Sequence, residues 1–159
     1  MNKKIKSSND FEQLGAQMRK NGTKLVQCDG VFDLVHPGHI DSFQRGKTYG
    51  DVLYVVIVAD EFVEKGPSRP LFDESTRASW VAAIECVDFV IVNYDYGPLE
   101  IIKKVQPSVL VKGRQYETKP TSGFLDDKAA VESYGGRVAY IEELQRSTQI
   151  IEKIYSLFN

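Results

Sequence analysis

The 159 residues, 42% apolar and 26% charged, suffice for one domain with its own core, and their composition excludes a disordered or fibrous chain. Lys and Arg number 20 against 22 Asp and Glu, a net charge of −2, so no bulk basic surface points to nucleic acid or an anionic membrane. The only cysteines, Cys28 and Cys86, make neither a disulfide framework nor a zinc set.

The basic start Met1–Lys6 runs into Ser7-Ser8-Asn9-Asp10 where a signal peptide needs its apolar stretch. No segment approaches the roughly 18 apolar residues of a membrane span. The expectation is a cytoplasmic protein forming a single domain over residues 1–159.

In chain order, Asn9-Asp10-Phe11-Glu12 reads as a capping box for a helix with Phe11, Leu14 and Met18 on one face, stopped at Asn21-Gly22. Lys24–Cys28 reads as a first strand, followed by a sharp turn and a helix from Pro37. Val52–Ala59, almost entirely apolar and β-branched, fits a central parallel strand covered on both faces. The loop Asp60–Phe72, with Gly66, Pro67 and Pro70, is expected to be poorly ordered without ligand. Asp73 then caps a helix burying Trp80, Val81 and Ile84.

Val87–Val92 is a third strand, Pro98–Val105 a helix, and Val109–Val111 a fourth strand. Leu125–Tyr134 is a helix ended by Gly135-Gly136, and Val138–Ile141 a fifth strand. A last helix carries the stripe Ile150, Ile151, Ile154, Leu157 and Phe158. This alternation predicts an α/β fold, a doubly wound parallel sheet of five strands with its ligand edge at the strand C-termini.

The segment Cys28-Asp29-Gly30-Val31-Phe32-Asp33-Leu34-Val35-His36-Pro37-Gly38-His39 holds the chain's 2 histidines within one helical turn. With Pro37 at the first helical position, His36 falls near the cap and His39 in the first turn. Free N–H groups and the positive end of the helix dipole meet there, and Gly38 leaves room for a phosphate. His-x-x-His without further His or Cys ligands is a poor zinc site. A dehydrogenase is excluded because the turn lacks G-x-G-x-x-G and no strand ends in a ribose-binding acid.

At these residues the chain resembles the nucleotidyltransferases marked by His-x-Gly-His. The wider pattern is similar to heptose-1-phosphate adenylyltransferases: Gly30-Val31-Phe32-Asp33, Lys65-Gly66 with Arg69-Pro70, Arg77, Val87-Asp88, Val109–Gly113 with Tyr116, Gly135-Gly136 and Arg146-Ser147-Thr148. The resemblance spans Phe11 to Ile154 and implies a Rossmann-like nucleotidyltransferase fold. It further implies transfer of a nucleoside monophosphate from an NTP, ATP favoured, to a sugar phosphate such as heptose 1-phosphate, with release of pyrophosphate. Cytidylyl transfer from CTP to glycerol 3-phosphate or another small phosphorylated alcohol is the alternative within the class. A non-catalytic nucleotide-binding regulatory module is the alternative outside it.

Three departures from that pattern fall near the substrates: Cys28-Asp29-Gly30 for Thr-Asn-Gly, Lys112-Gly113-Arg114-Gln115-Tyr116 for Lys-Gly-x-Asp-Tyr, and Gln145 where a Gly is frequent.

The resemblance and the residue types together assign roles. His36, His39, Lys65 and Arg77 are the catalytic, phosphate-directed set. Gly30, Val31, Phe32, Gly38, Arg146, Ser147 and Thr148 bind nucleotide phosphates, with Ser147 capping the last helix. Asp29, Asp33, Lys112, Arg114 and Gln115 form the acceptor side, Asp33 also shaping the turn before His36. Arg114 and Gln115 would raise the local positive charge. Mg2+ is expected to travel with the triphosphate, held by its oxygens rather than by protein side chains. The expected partners are the NTP and a sugar or polyol phosphate, with neither nucleic acid nor membrane. A homodimer is the one protein partner the resemblance suggests.

Overall fold

The computed structural model describes residues 2–142 and 147–158, with only the backbone described at 147 and 148. Six parallel strands form one sheet: β1 (Ile5–Lys6), β2 (Leu25–Gly30), β3 (Val52–Val58), β4 (Phe89–Asn93), β5 (Val109–Gly113) and β6 (Arg137–Ile141), in the order β1-β4-β3-β2-β5-β6. The expected five-stranded sheet therefore gains a sixth strand. The two residues of β1 pair with Val90 and Ile91 on the edge of β4, too short a run to show a period of two.

The helices are α1 (Ser8–Lys20), α2 (Pro37–Lys47), α3 (Glu74–Ala82), α4 (Leu99–Val105), α5 (Gln115–Thr118), α6 (Ser122–Ser133) and α7 (Ser147–Phe158). The side-chain oxygen of Ser7, rather than Asn9, caps α1 by accepting from Asp10 N–H, and Ser7 Oγ donates back to Asp10 Oδ2 at 2.7 Å. Asp73 caps α3 as expected, accepting from Thr76 N–H at 2.7 Å. Trp80 is only partly covered; its ring packs edge-on against Phe72 at 4.5 Å instead of entering the core. α6 begins three residues earlier than expected because Thr121 caps it, and the single turn α5 escapes a period-based reading. The helix α7 begins at Ser147; the expectation that Ser147 caps it rests on a side chain outside the described residues.

Alternate residues of each strand face opposite layers. Val26 and Cys28 of β2, Leu53, Val55 and Ile57 of β3, and Val111 of β5 pack with Phe43 of α2 and Ala78 and Val81 of α3. Leu25, Tyr54, Val56 and Ile91 point the other way, onto Phe11 of α1 and Ile101 and Val105 of α4. Each such fully covered aliphatic side chain contributes roughly 1.5–3 kcal/mol. β3 is therefore the covered central strand its composition announced.

The topology also places the site. Strands β2, β3 and β4 build outward in one direction and β5 and β6 in the other, so the order reverses between β2 and β5. In such sheets ligands bind beyond the strand C-termini at the reversal.

Candidate active site

A cavity of about 390 Å³ opens at that point. It is lined by the ends of β2 (Cys28, Asp29, Gly30), β3 (Val58), β5 (Val111, Lys112, Gly113) and β6 (Ile141), together with Val31, Phe32, His39, Ser42, Lys65, Gln115 and Tyr116. Of the expected site residues, Asp29, Gly30, Val31, Phe32, His39, Lys65, Lys112 and Gln115 thus line one cavity.

His36 is the N-cap of α2, its Nδ1 accepting from Gly38 N–H at 3.2 Å. In neutral His36 the proton therefore lies on Nε2. The same bond engages the Gly38 amide with the cap, and neither residue is part of the cavity lining. The His36 ring stacks on His39 with 3.8 Å between centroids, and Phe32 meets His39 edge-on at 5.1 Å. Phe32 has φ 51, a left-handed conformation that costs a non-glycine residue energy and recurs at functional sites. A Cβ on Gly30 would lie 3.0 Å from the Phe32 ring, so Gly30 makes room for this packing.

Burial, then repulsion from His36 and Lys65, lowers the His39 pKa from 6.5 to about 3. His39 is a neutral imidazole, and among the described residues its enclosed Nδ1 has no hydrogen-bond partner. Phosphate anions would reverse the electrostatic part of that depression. Between pH 6.5 and about 3 the unfolded chain binds a proton at this position that the folded one refuses. Stability supplied here is complete above pH 6.5 and falls as the pH drops through that window. His39→Gln is expected to lessen the acid-side loss in urea titrations at pH 4 and pH 7, relative to wild type. An equal loss in both proteins, or a His39 imidazole titrating near 6.5, would contradict the assignment.

Arg77 departs from its expected role. It is fully buried, and its guanidinium donates to Phe72 O at 2.9 Å, Val58 O and Asp60 Oδ1 at 2.8 and 2.6 Å, and Val31 O. The Val31 and Val58 carbonyls lie just past or at the ends of β2 and β3, and that of Phe72 lies in the loop before α3. Arg77, itself outside the cavity lining, thus braces the backbone of Val31 and Val58, which line it.

Asp33 is likewise not an acceptor ligand. Fully buried, it accepts from Arg69 Nε at 2.5 Å and from the N–H groups of Leu71 and Phe72 at 2.7 and 3.1 Å. It fastens the second half of the Asp60–Phe72 loop to the segment before α2, so that half is tied down without ligand. Arg114 is half exposed, paired with Glu117 at 3.1 Å and Glu142 at 3.4 Å, and does not line the cavity. The share of the expected positive charge that Arg114 would bring therefore does not reach the cavity, whereas Gln115, standing where the resembled pattern has an acid, does line it. Arg146 lies outside the described residues, as do the side chains of Ser147 and Thr148.

Lys112 enters the cavity wall with its Nζ 2.7 Å from Asp29 Oδ2 and 3.7 Å from Asp127 Oδ2. Burial alone would lower its pKa, but Asp29 and Asp127 outweigh it and the net shift is upward, so the ammonium persists. Asp127, on α6, carries no signal in the sequence, where it is the second of two adjacent Asp residues, until the fold brings it beside Lys112. Among the described residues, no group of three or more His, Cys, Asp or Glu is arranged to hold a metal ion, and no helix is long and apolar enough to cross a membrane.

A model of the cytidylyltransferase-like family matches residues 27–153. The chain belongs to that family. It is 41% identical over 155 residues to the bifunctional protein HldE of Geotalea uraniireducens and 39% identical to that of Geobacter metallireducens, covering 95% of this chain in each case. It spans 31% of the length of those relatives. A lipopolysaccharide core biosynthesis protein from Thermoplasma volcanium superposes with TM-score 0.65 at 26% identity, over 78% of this chain and all of that one. The pantoate-beta-alanine ligase of Francisella tularensis superposes with TM-score 0.64 over 96% of this chain and 77% of its own; at 14% identity this is a likeness of fold.

Proposed function

We propose that this chain transfers a nucleoside monophosphate from an NTP, with ATP favoured, to a sugar phosphate of the heptose 1-phosphate type and releases pyrophosphate. The observation that carries the reading is His39 together with Lys65 on the wall of a cavity at the sheet's reversal point. Family membership supports the reaction class. The motifs shared with heptose-1-phosphate adenylyltransferases, and the name of the Thermoplasma structure, support a glycan precursor as acceptor.

In the proposed reaction an acceptor phosphate oxygen, already anionic, attacks the α-phosphorus in line while the bond to the β-phosphate oxygen breaks. No base is required. The chain's task is to hold two anions together and to stabilise charge on the departing oxygen. His39 donates an N–H to the phosphates, and Lys65, on its exposed loop, supplies a cation beside it. His36 fixes the α2 start through its cap, and Arg77 and Asp33 hold the surrounding loops. Mg2+ would enter with the triphosphate and neutralise its oxygens. The carboxylate on the cavity wall, Asp29, is already paired with Lys112, which fits an ion carried by the nucleotide.

The test is pyrophosphate release across ATP, CTP, GTP and UTP with heptose 1-phosphate, glycerol 3-phosphate and other sugar phosphates. Turnover is expected to be fastest with ATP and a sugar phosphate. Preference for CTP with a polyol phosphate would shift the assignment within the family. Nucleotide binding without turnover on any acceptor would overturn the enzymatic reading.

A further inference from the structure

The Lys112 side of the cavity carries a charge pattern unlike a phosphate site. Its ammonium lies between two carboxylates, with the Lys112 and Asp127 side chains only 8% and 5% exposed. Burial raises the Asp127 pKa from 3.8 to about 6, against the pull of Lys112, so at neutral pH Asp127 faces the ammonium largely as a carboxylate. An incoming phosphate would meet no net positive charge there. The rings of Tyr116 and Phe124 lie 5.5 and 5.8 Å from Lys112 Nζ and close off the flank. Meanwhile Asp29 Oδ1 is enclosed and has no donor among the described residues. A buried carboxylate oxygen in that state is costly until a donor reaches it.

A hydroxyl meets both requirements, donating to Asp29 Oδ1 while a neighbouring hydroxyl accepts from Lys112. We propose that Asp29 and Lys112 bind the neutral, hydroxyl-bearing part of a substrate, and that Asp127 is the positioning residue that aims the Lys112 ammonium at it. The shared chemistry is a vicinal diol, offered by the ribose of the nucleotide or by the sugar of the acceptor. The inference deepens the proposed transferase function and rests on it for the choice of probes.

The experiment is calorimetric binding to wild type, Asp127→Asn and Asp29→Asn. The probes are ATP, 2′,3′-dideoxy-ATP, heptose 1-phosphate, glycerol 3-phosphate and inorganic pyrophosphate. Asp127→Asn is expected to weaken one class of hydroxylated probe at least about tenfold while pyrophosphate stays within about twofold, as loss of a charge-assisted contact to a hydroxyl requires. If the ribose is read, ATP weakens and the dideoxy nucleotide, already weak in wild type, does not change. If the acceptor is read, heptose 1-phosphate weakens and ATP does not. Pyrophosphate falling in parallel with the others, or no probe changing, would overturn the proposal. Thermal unfolding checks that Asp127→Asn folds, and Asp29→Asn on the cavity wall carries the same comparison if it does not. Because the readout is binding, absence of turnover on any acceptor would strike the transferase reading alone.

Discussion

Replacing His39 by alanine is expected to lower kcat at least about a hundredfold, the scale of losing one preorganised donor at a developing charge. His39 is the histidine that reaches the cavity wall, whereas His36 caps α2 beneath it. The alanine variant loses the ring contacts at 3.8 Å to His36 and 5.1 Å to Phe32, but no helix cap, so its fold should survive. If His39 acts on the departing pyrophosphate, kcat and kcat/KM fall together while KM for the acceptor barely moves. A near-wild-type kcat at saturating substrates would remove His39 from the mechanism.

Arg77→Met is expected to destabilise the protein by about 3–5 kcal/mol, the range for removing one partner of a buried charge network. Its fully buried guanidinium serves three carbonyls and Asp60. For a chain of this size that corresponds to a fall in Tm of roughly 6–20 °C. Arg77→Lys, which keeps the charge but not the fork of donors, should fall between the two. A loss below about 1 kcal/mol in urea titrations would mean that the buried bonds contribute little.

The contrast between these two residues shows what the sequence made legible. Strands β2 to β6 announce themselves because buried parallel strands need largely apolar runs, and His36-Pro37-Gly38-His39 announces a helix start. What escaped depends on contacts distant in sequence. The edge strand β1 is two residues long and pairs only through β4. Arg77 looks like a misplaced cation in a first helical turn until the carbonyls of Val31, Val58 and Phe72 are seen around it. Asp33, within the signature segment, looks like a site residue but serves the loop at 69–72, 36 to 39 positions later. Arg114 reads as a cavity cation until Glu117 and Glu142 take its charge. Asp127 had no local signal, and only the packing of α6 against β5 and β6 makes it a neighbour of Lys112.

The central claim is that substrates react directly with one another, with the chain supplying position and charge but no covalent nucleophile. Cys28 on the cavity wall does not offer one, since burial, aided by Asp29, holds its thiol far above the ordinary range and therefore protonated. The most direct measurement is the stereochemical course at phosphorus, using an α-thio nucleoside triphosphate chiral at the α position. A single in-line displacement inverts that centre, and inversion is the expected result. Retention would require two displacements through a nucleotidyl-enzyme intermediate and would contradict the account.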